Sequence, residues 1–419
     1  MPAPGPARLL CGDPLAAQRW WQRLAAAAPS GSCRVLLLLA GTDTAAVPGI
    51  SAAGATPESR RRTAAADAEL LLLGPERPLP HALPPLPAGV SPALIARVVL
   101  EQLAIEPLVV DLGAPVAPAV PHLRPGGGLA CGPAACLSSG AAMTRQRVDG
   151  LLALGRRWGQ RLAERGQPLL LAECVPGGTS TAQAVLQGLG VEAAGLVSGS
   201  LRQPAHGLKR ELVQRGLAAA GLPAAGLPAA GLPAAGLRPA PEEASEERAE
   251  ERSEDDSVAA VAAVLAAVGD PMQALAAGLV QAAAAAELPL LLAGGSQMAA
   301  VLALALALSP EPARPQLLAQ AAIATTAWVA DEPGSDLVAL LGRIGARWGG
   351  APLAYRAGLR FGACTSPELR AYEQGYVKEG VGAGGLALLW ELSGRDPAVL
   401  AAACDQACGR LRRVSGAPA

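Results

Sequence analysis

Lysine is nearly missing from this 419-residue chain: of 34 basic residues only Lys209 and Lys378 are lysines, and the other 32 are arginines. Charge of either sign is scarce, at 16% of residues against ~25% in an average soluble domain, and the formal net charge is −1. That balance excludes a nucleic acid or an acidic surface as partner, since either asks for a basic excess. The three histidines (His81, His122, His206) stand apart and no cysteine pair has CxxC spacing, so no zinc site is expected. The start, MPAPGPARLL, lacks a basic region followed by an apolar core, so no secretory signal is read there. Long hydrophobic runs are lacking too. The longest clean one, AAVLALALAL (299–308), is too short for a hydrocarbon layer of ~30 Å. Eight scattered cysteines without a pairing pattern fit a reduced, cytoplasmic protein with no membrane contact. The one phenylalanine, Phe361, and all three tyrosines fall within 355–376, in a chain otherwise drifted toward Ala, Leu, Gly, Pro and Arg.

What is present is a repeated alternation. RVLLLLAG (34–41), ELLLLG (69–74), PLVVDLG (107–113), QPLLLAEC (167–174) and LPLLLAGG (288–295) are continuous aliphatic runs, as in strands of a parallel sheet covered on both faces. Segments such as VDGLLALGRRWGQRLAERG (148–166) carry helix periodicity and a glycine stop. The pattern predicts an α/β fold, a doubly wound and mostly parallel Rossmann-like sheet with helices on both faces. The expected organisation is an N-terminal, helical segment 1–33 and one domain formed by 34–217 and 257–419. Residues 218–256, with GLPAA three times over followed by EEASEERAEERSEDD, are read as a disordered, low-complexity insertion.

In such sheets ligands bind beyond the carboxyl ends of strands, so the turns there hold the candidate site. AECVPGGTSTAQAVLQGLG (172–190) passes from a strand through Pro-Gly-Gly into a helix. Gly177, Gly178, Thr179, Ser180 and Thr181 make a generic anion cradle, with Glu173 just before it. AHGLKRELVQRGL (205–217) places Lys209 near a helix start. In the 269–306 segment a strand ends in Gly294, Gly295 and Ser296 before the next helix. YVKEGVGAGG (376–385) sets Lys378 and Glu379 against Gly380 and Gly382, ahead of an apolar helix. VPGISAAGATPESRRRTAAADAELLLLG (47–74) and DLGAPVAPAVPHLRPGGG (111–128) are read as long loops after strands, of a length that accompanies binding sites.

Four of these segments in register, EGVGAGG, GDPMQALAAGLVQAAAAAELPLLLAGG, ECVPGGTSTA and HGLKRELVQRGL, resemble the nicotinate-nucleotide:dimethylbenzimidazole phosphoribosyltransferase family in its archaeal-type branch. The resemblance runs from about Leu36 to Leu392 outside the insertion. It implies transfer of the 5-phosphoribosyl group from nicotinate mononucleotide to a nitrogenous base, giving the α-nucleotide of a cobamide lower ligand. Under it Glu379 is the general base, the Gly177–Thr181 turn and Lys209 hold phosphate, Glu173 lies near the ribose, and no metal or cofactor is called for. Lys378 would pair with Glu379 or face solvent. A homodimer is a possible assembly. VPGISAAGATPE stands where the bacterial enzymes carry a P-G-S-L-G-type segment at the base pocket, so a benzimidazole- or purine-type acceptor stays open. Another phosphoribosyl or phosphate-ester enzyme on this scaffold and a non-catalytic nucleotide-binding homologue are the alternatives. A single cleft shared by Glu379, the Gly177–Thr181 turn and the 294–298 turn would favour the enzyme.

Overall fold

A computed structural model of the chain describes residues 6–27, 33–223 and 246–415. In chain order the elements are β1 (Arg8–Cys11), α1 (Pro14–Ala27), β2 (Arg34–Leu39), α2 (Pro57–Leu73), α3 (Ala93–Gln102), β3 (Leu108–Asp111), α4 (Arg145–Ala163), β4 (Leu169–Cys174), α5 (Gly178–Gly188) and α6 (His206–Ala219). There follow α7 (Glu246–Val268), α8 (Pro271–Ala285), β5 (Leu290–Ala293), α9 (Ser296–Leu308), α10 (Arg314–Gln320), β6 (Ala321–Thr325), α11 (Ala327–Ala330), α12 (Leu337–Trp348), β7 (Leu353–Arg356), α13 (Pro367–Glu373), α14 (Ala383–Leu392) and α15 (Pro397–Ser415).

The strands form one sheet in the order β1-β7-β6-β5-β4-β2-β3, parallel throughout except for β1 at the edge. Successive side chains of a strand face opposite sides, and both sides are buried here. Leu36, Leu38, Leu169, Leu171, Leu290, Leu292 and Ile323 join a core with α4 to α9 and α12. Val35, Leu37, Leu170, Ala172, Leu291 and Ala293 join a second core with α1, α2, α3 and α13 to α15. This explains why the strands read as unbroken aliphatic runs, and it is the doubly wound α/β architecture expected.

Two expectations change. ELLLLG (69–74) is not a strand: it closes α2, and with it most of the expected loop 47–74 is helical. Thr56 caps that helix in a reciprocal capping box with Ser59, and Pro57 occupies its first turn. Four leucines alone do not distinguish a short buried strand from the buried end of a helix. The segment 1–33, read as helical, also contributes β1, which pairs antiparallel with β7. Of the expected insertion 218–256, residues 224–245 lie outside the described residues, 218–219 close α6, and 246–256 open α7, whose Glu, Ala and Arg are good helix formers. Strands β6 and β7, only five and four residues long, escaped the sequence reading.

Among the described residues no helix is long and apolar enough to cross a membrane. All eight cysteines are free thiols. The aromatic cluster near the C-terminus is core: Trp328 packs on Phe361 and Tyr372 at centroid distances of 4.9 and 4.8 Å.

Candidate functional site

From β2 the chain steps outward to β3, then returns past β2 to β4 before continuing to β5, β6 and β7. The winding reverses between β2 and β4, and at such a switch the strands' carboxyl ends leave a crevice. A cavity of about 440 Å³ lies there, lined on one side by Glu173, Gly177, Gly178, Thr179, Gly295, Ser296 and Gln297. Ser198, Gly199 and Ser200 close that side, and Lys378, Glu379, Gly380 and Val381 meet it from the loop before α14. The shared cleft expected from the sequence is therefore present.

Its polar side is built by helix starts. Gly177, at φ 82°, turns the chain out of β4 and into α5, and α9 begins just beyond β5 at Ser296. Both helices present the positive end of their dipole to the cavity. Gly178 lets Gln297 approach closely, since a Cβ there would fall 1.9 Å from Gln297 Oε1 and push that side chain aside. Ser296 Oγ accepts from the Ser198 amide at 3.0 Å, so its own hydrogen is left to point elsewhere. Thr179 lines the cavity, but Ser180 and Thr181 do not. The Thr181 hydroxyl donates to Asp270 Oδ2 at 2.6 Å, joining the turn to the capping residue of α8. Gly294 and Gly382 also lie off the cavity wall.

Three carboxylates line the cavity: Glu379, Glu173 and, from α2, Asp67. Glu379 is held by four donors: Thr325 Oγ1 (2.9 Å) and Thr326 N (2.8 Å) to Oε2, Gly384 N (2.9 Å) and Gly380 N (3.3 Å) to Oε1. Burial raises its pKa above the ordinary value and these donors oppose the rise. Glu173 accepts from Val175 N at 2.9 Å and from Gln297 Nε2 at 2.8 Å. Burial pushes its pKa up to about 8, with the charges of Asp270 and Glu379 adding to the effect.

The glycines after Glu379 serve packing. A Cβ on Gly384 would lie 2.3 Å from the Thr325 carbonyl carbon, and one on Gly385 2.3 Å from Ala293 Cβ. Gly382 presses on Ala172 in the same way. The start of α14 thus sits flush on β4, β5 and β6, which brings the Gly384 amide to Glu379. Of these glycines only Gly380 faces the cavity.

The loop leading to Glu379 is strained. Val377, Lys378 and Val381 have φ of 65°, 69° and 53°, and a β-branched residue there is a genuine outlier. Two successive three-residue turns, Lys378 N to Tyr376 O (2.8 Å) and Glu379 N to Val377 O (3.0 Å), have this left-handed form. Lys378 anchors them. Its Nζ reaches inward to Leu201 O at 2.7 Å and to Glu332 Oε1, while Thr326 Oγ1 donates to its carbonyl at 2.6 Å. Lys378 therefore pairs with Glu332, neither with Glu379 nor with solvent. Lys209, the other lysine, is fully buried, donates from Nζ to Ser198 O at 2.5 Å, and lies within electrostatic reach of Glu332 and Lys378. Burial lowers its pKa to about 7, against the pull of Glu332. Both lysines of the chain stand behind one cleft.

The rest of the lining is largely apolar and includes Leu83, Pro85, Pro87, Val90, Pro92 and Ala52. Thr63 and Asp67, one turn apart on α2, also belong to it, with Ser91 and Cys174. The sequence reading missed Asp67, Ser91, Gln297 and the Ser198–Ser200 turn. A Thr-x-x-x-Asp spacing on a capped helix was the available signal for α2, and the Ser-Gly-Ser of VSGS (197–200) for the turn.

No family model matches the chain. It is 49% identical over 382 residues to a UPF0284 protein of Parasynechococcus marenigrum (strain WH8102), covering 90% of this chain and 87% of that protein. A UPF0284 protein of Prochlorococcus marinus (strain MIT 9313) is 46% identical over 90% of this chain and 86% of its own length, and one of Gloeobacter violaceus 42% identical over 96% and 93%. Among solved structures, the chain is similar to a nicotinate-nucleotide-dimethylbenzimidazole phosphoribosyltransferase of Thermus thermophilus, at 18% identity and a TM-score of 0.48 over 97% of this chain and 99% of that one. Relatives this similar over this much of their length leave one assignment: the chain belongs to the UPF0284 protein family.

Proposed function

We propose that the chain transfers the 5-phosphoribosyl group of nicotinate mononucleotide to a benzimidazole- or purine-type base, yielding the α-nucleotide used as a cobamide lower ligand. The observation that carries this reading is the cleft itself, in which the Glu379 carboxylate faces two helix starts suited to a phosphate. The four motifs in register with the phosphoribosyltransferase family point the same way.

In the proposed step the acceptor's ring nitrogen attacks C1′ of the ribose from the face opposite nicotinate. The C1′–N bond to the pyridinium breaks, its electron pair returns to that nitrogen, and the configuration inverts from β to α. The acceptor's N–H proton passes to Glu379. The pyridinium leaves as neutral pyridine nitrogen, so no acid is needed on that side. Glu379 suits the base role because its four donors fix its orientation. The Thr325 hydroxyl can swing away when the proton arrives, since a carboxylate has about four acceptor positions and all are in use. The 5′-phosphate would rest between the Gly177–Thr179 turn, Ser296 and the Ser198–Ser200 turn, with Lys209 behind them supplying charge. Glu173, protonated near neutral pH in the empty cleft, would donate a hydrogen bond to a ribose hydroxyl. The site residues act in a cytoplasmic, small-molecule setting under this reading.

Purified protein incubated with nicotinate mononucleotide and either dimethylbenzimidazole or adenine should release nicotinate and form α-nucleotide, both followed by chromatography. Glu379→Gln should slow the reaction by about 10²- to 10⁴-fold, the usual contribution of a positioned base. Full turnover in that variant would remove Glu379 from the role, and failure of the wild type to bind nicotinate mononucleotide would overturn the reading as a whole.

A further inference from the structure

One carboxylate in the cleft has no part in the transfer step. Asp67 lines the cavity from α2 and is 4% exposed. Its Oδ1 accepts from the Ser91 hydroxyl at 2.6 Å, and its Oδ2 from the Cys174 thiol at 3.4 Å. A thiol is a weak donor, and a carboxylate has about four acceptor positions, so roughly half of its capacity is unused among the described residues. Among the described residues no ion pair includes Asp67. Ser91 and Cys174 touch it, and Tyr372 lies within electrostatic reach. A buried, unpaired carboxylate is costly unless something satisfies it. Burial holds its pKa up at about 6, which leaves it ionised at neutral pH and short of donors.

The polar and apolar parts of the lining suit different parts of the substrate. The helix starts and hydroxyls suit the phosphoribosyl group, and the proline-rich part suits a flat heterocycle lying against it. Glu379 meets the nitrogen that forms the new bond. We propose that Asp67 reads another edge of that heterocycle, so that the acceptor is an amino-substituted, purine-type base whose exocyclic N–H donates to Asp67. This rests on the transfer reading above. A ring whose corresponding edge carries only methyl groups would cover Asp67 without supplying a donor, leaving a buried acceptor unpaired, and sites built to hydrogen-bond a ligand reject such analogues strongly.

Binding can be measured without turnover. Equilibrium dialysis of the full-length protein at pH 7.5 would compare adenine with 6-methylpurine, which keeps the shape and replaces the amino group by methyl. We expect adenine to bind at least tenfold more tightly, about 1.4 kcal/mol, and the preference to shrink to threefold or less in Asp67→Leu, which removes the acceptor, with nicotinate mononucleotide affinity unchanged. Equal affinities in the wild type, or an unchanged ratio in the variant, would overturn the assignment. Should Asp67→Leu not fold, the wild-type series adenine, N6-methyladenine, N6,N6-dimethyladenine decides alone: affinity must drop at the last member, where the N–H is lost, and a flat series overturns the proposal. Nicotinate release is read in parallel samples to which nicotinate mononucleotide is added. Selective adenine binding with no release would sink the transfer reading and leave the subsite standing.

Discussion

Lys378→Met separates stability from positioning at this site. The side chains of Lys378 and Glu332 are 2% and 4% exposed, so removing the ammonium strands a buried carboxylate. Breaking such a pair from one side costs about 3–5 kcal/mol. The lower end is expected, because Glu332 keeps the Ser335 hydroxyl (2.7 Å) and the nearby charge of Lys209. With an unfolding entropy of about 2.1 cal/mol/K per residue, a chain of this length should lose roughly 3–6 °C in Tm, read by calorimetry. The catalytic consequence is separate. Positive φ at Val377, Lys378 and Val381 costs about 1–3 kcal/mol at each position and persists only because the loop is held. Without the Lys378 tether to Leu201 the loop relaxes and Glu379 loses its place, so kcat/KM for nucleotide formation should fall at least about tenfold, a barrier increase of some 1.4 kcal/mol. The double variant Lys378→Met/Glu332→Leu removes the stranded charge and should recover at least half of the lost stability while staying poorly active. A single variant costing under about 1 kcal/mol would refute the energetic reasoning. A double variant that regains activity together with stability would refute the positioning role.

Two further outcomes follow from the buried titrating groups. The Glu173 carboxyl keeps its proton to about pH 8 in the fold but loses it near 4.5 when unfolded; the folded state thus holds the extra proton between those values. Stability should therefore fall as pH rises from about 4.5 to about 8, by up to about 5 kcal/mol, and Glu173→Gln should flatten that slope in denaturant titrations; an unchanged slope would assign it to other groups. Lys209, with its pKa lowered to about 7, is charged below that value. Nicotinate mononucleotide should accordingly bind more weakly as pH rises, with a midpoint above 7 because a bound phosphate favours the ammonium. Lys209→Met should bind more weakly at low pH, converge with the wild type at high pH and show no such trend, by calorimetric titration, and a flat wild-type profile would exclude the ammonium from phosphate binding.

Much of the scaffold was legible in the chain because its physics is local. Continuous aliphatic runs at 34–39, 108–111, 169–174 and 290–293 demand burial on both faces, and helices between them demand a parallel sheet. The turns after β4 and β5 were readable as glycine- and hydroxyl-rich helix starts, since that pattern acts within a few residues. Local pattern also misled: the four leucines ending α2 fit either strand or helix, and reading them as a strand hid Asp67 one turn earlier.

What only tertiary structure decided are contacts between residues far apart in sequence. Lys378 finds Glu332, 46 residues away, and Leu201, 177 away, and nothing near YVKEG names either partner. The glycines beside it read as room for substrate; their reason is the backbone of β6 and the side chains of β4 and β5, which meet them only once the sheet is assembled. Thr181 and Thr179 look equivalent in the chain, yet one hydroxyl is committed to Asp270 and the other residue faces the cavity, because a helix turns its neighbours in different directions. Sequence determined which residues could serve; packing chose which of them look into the cleft.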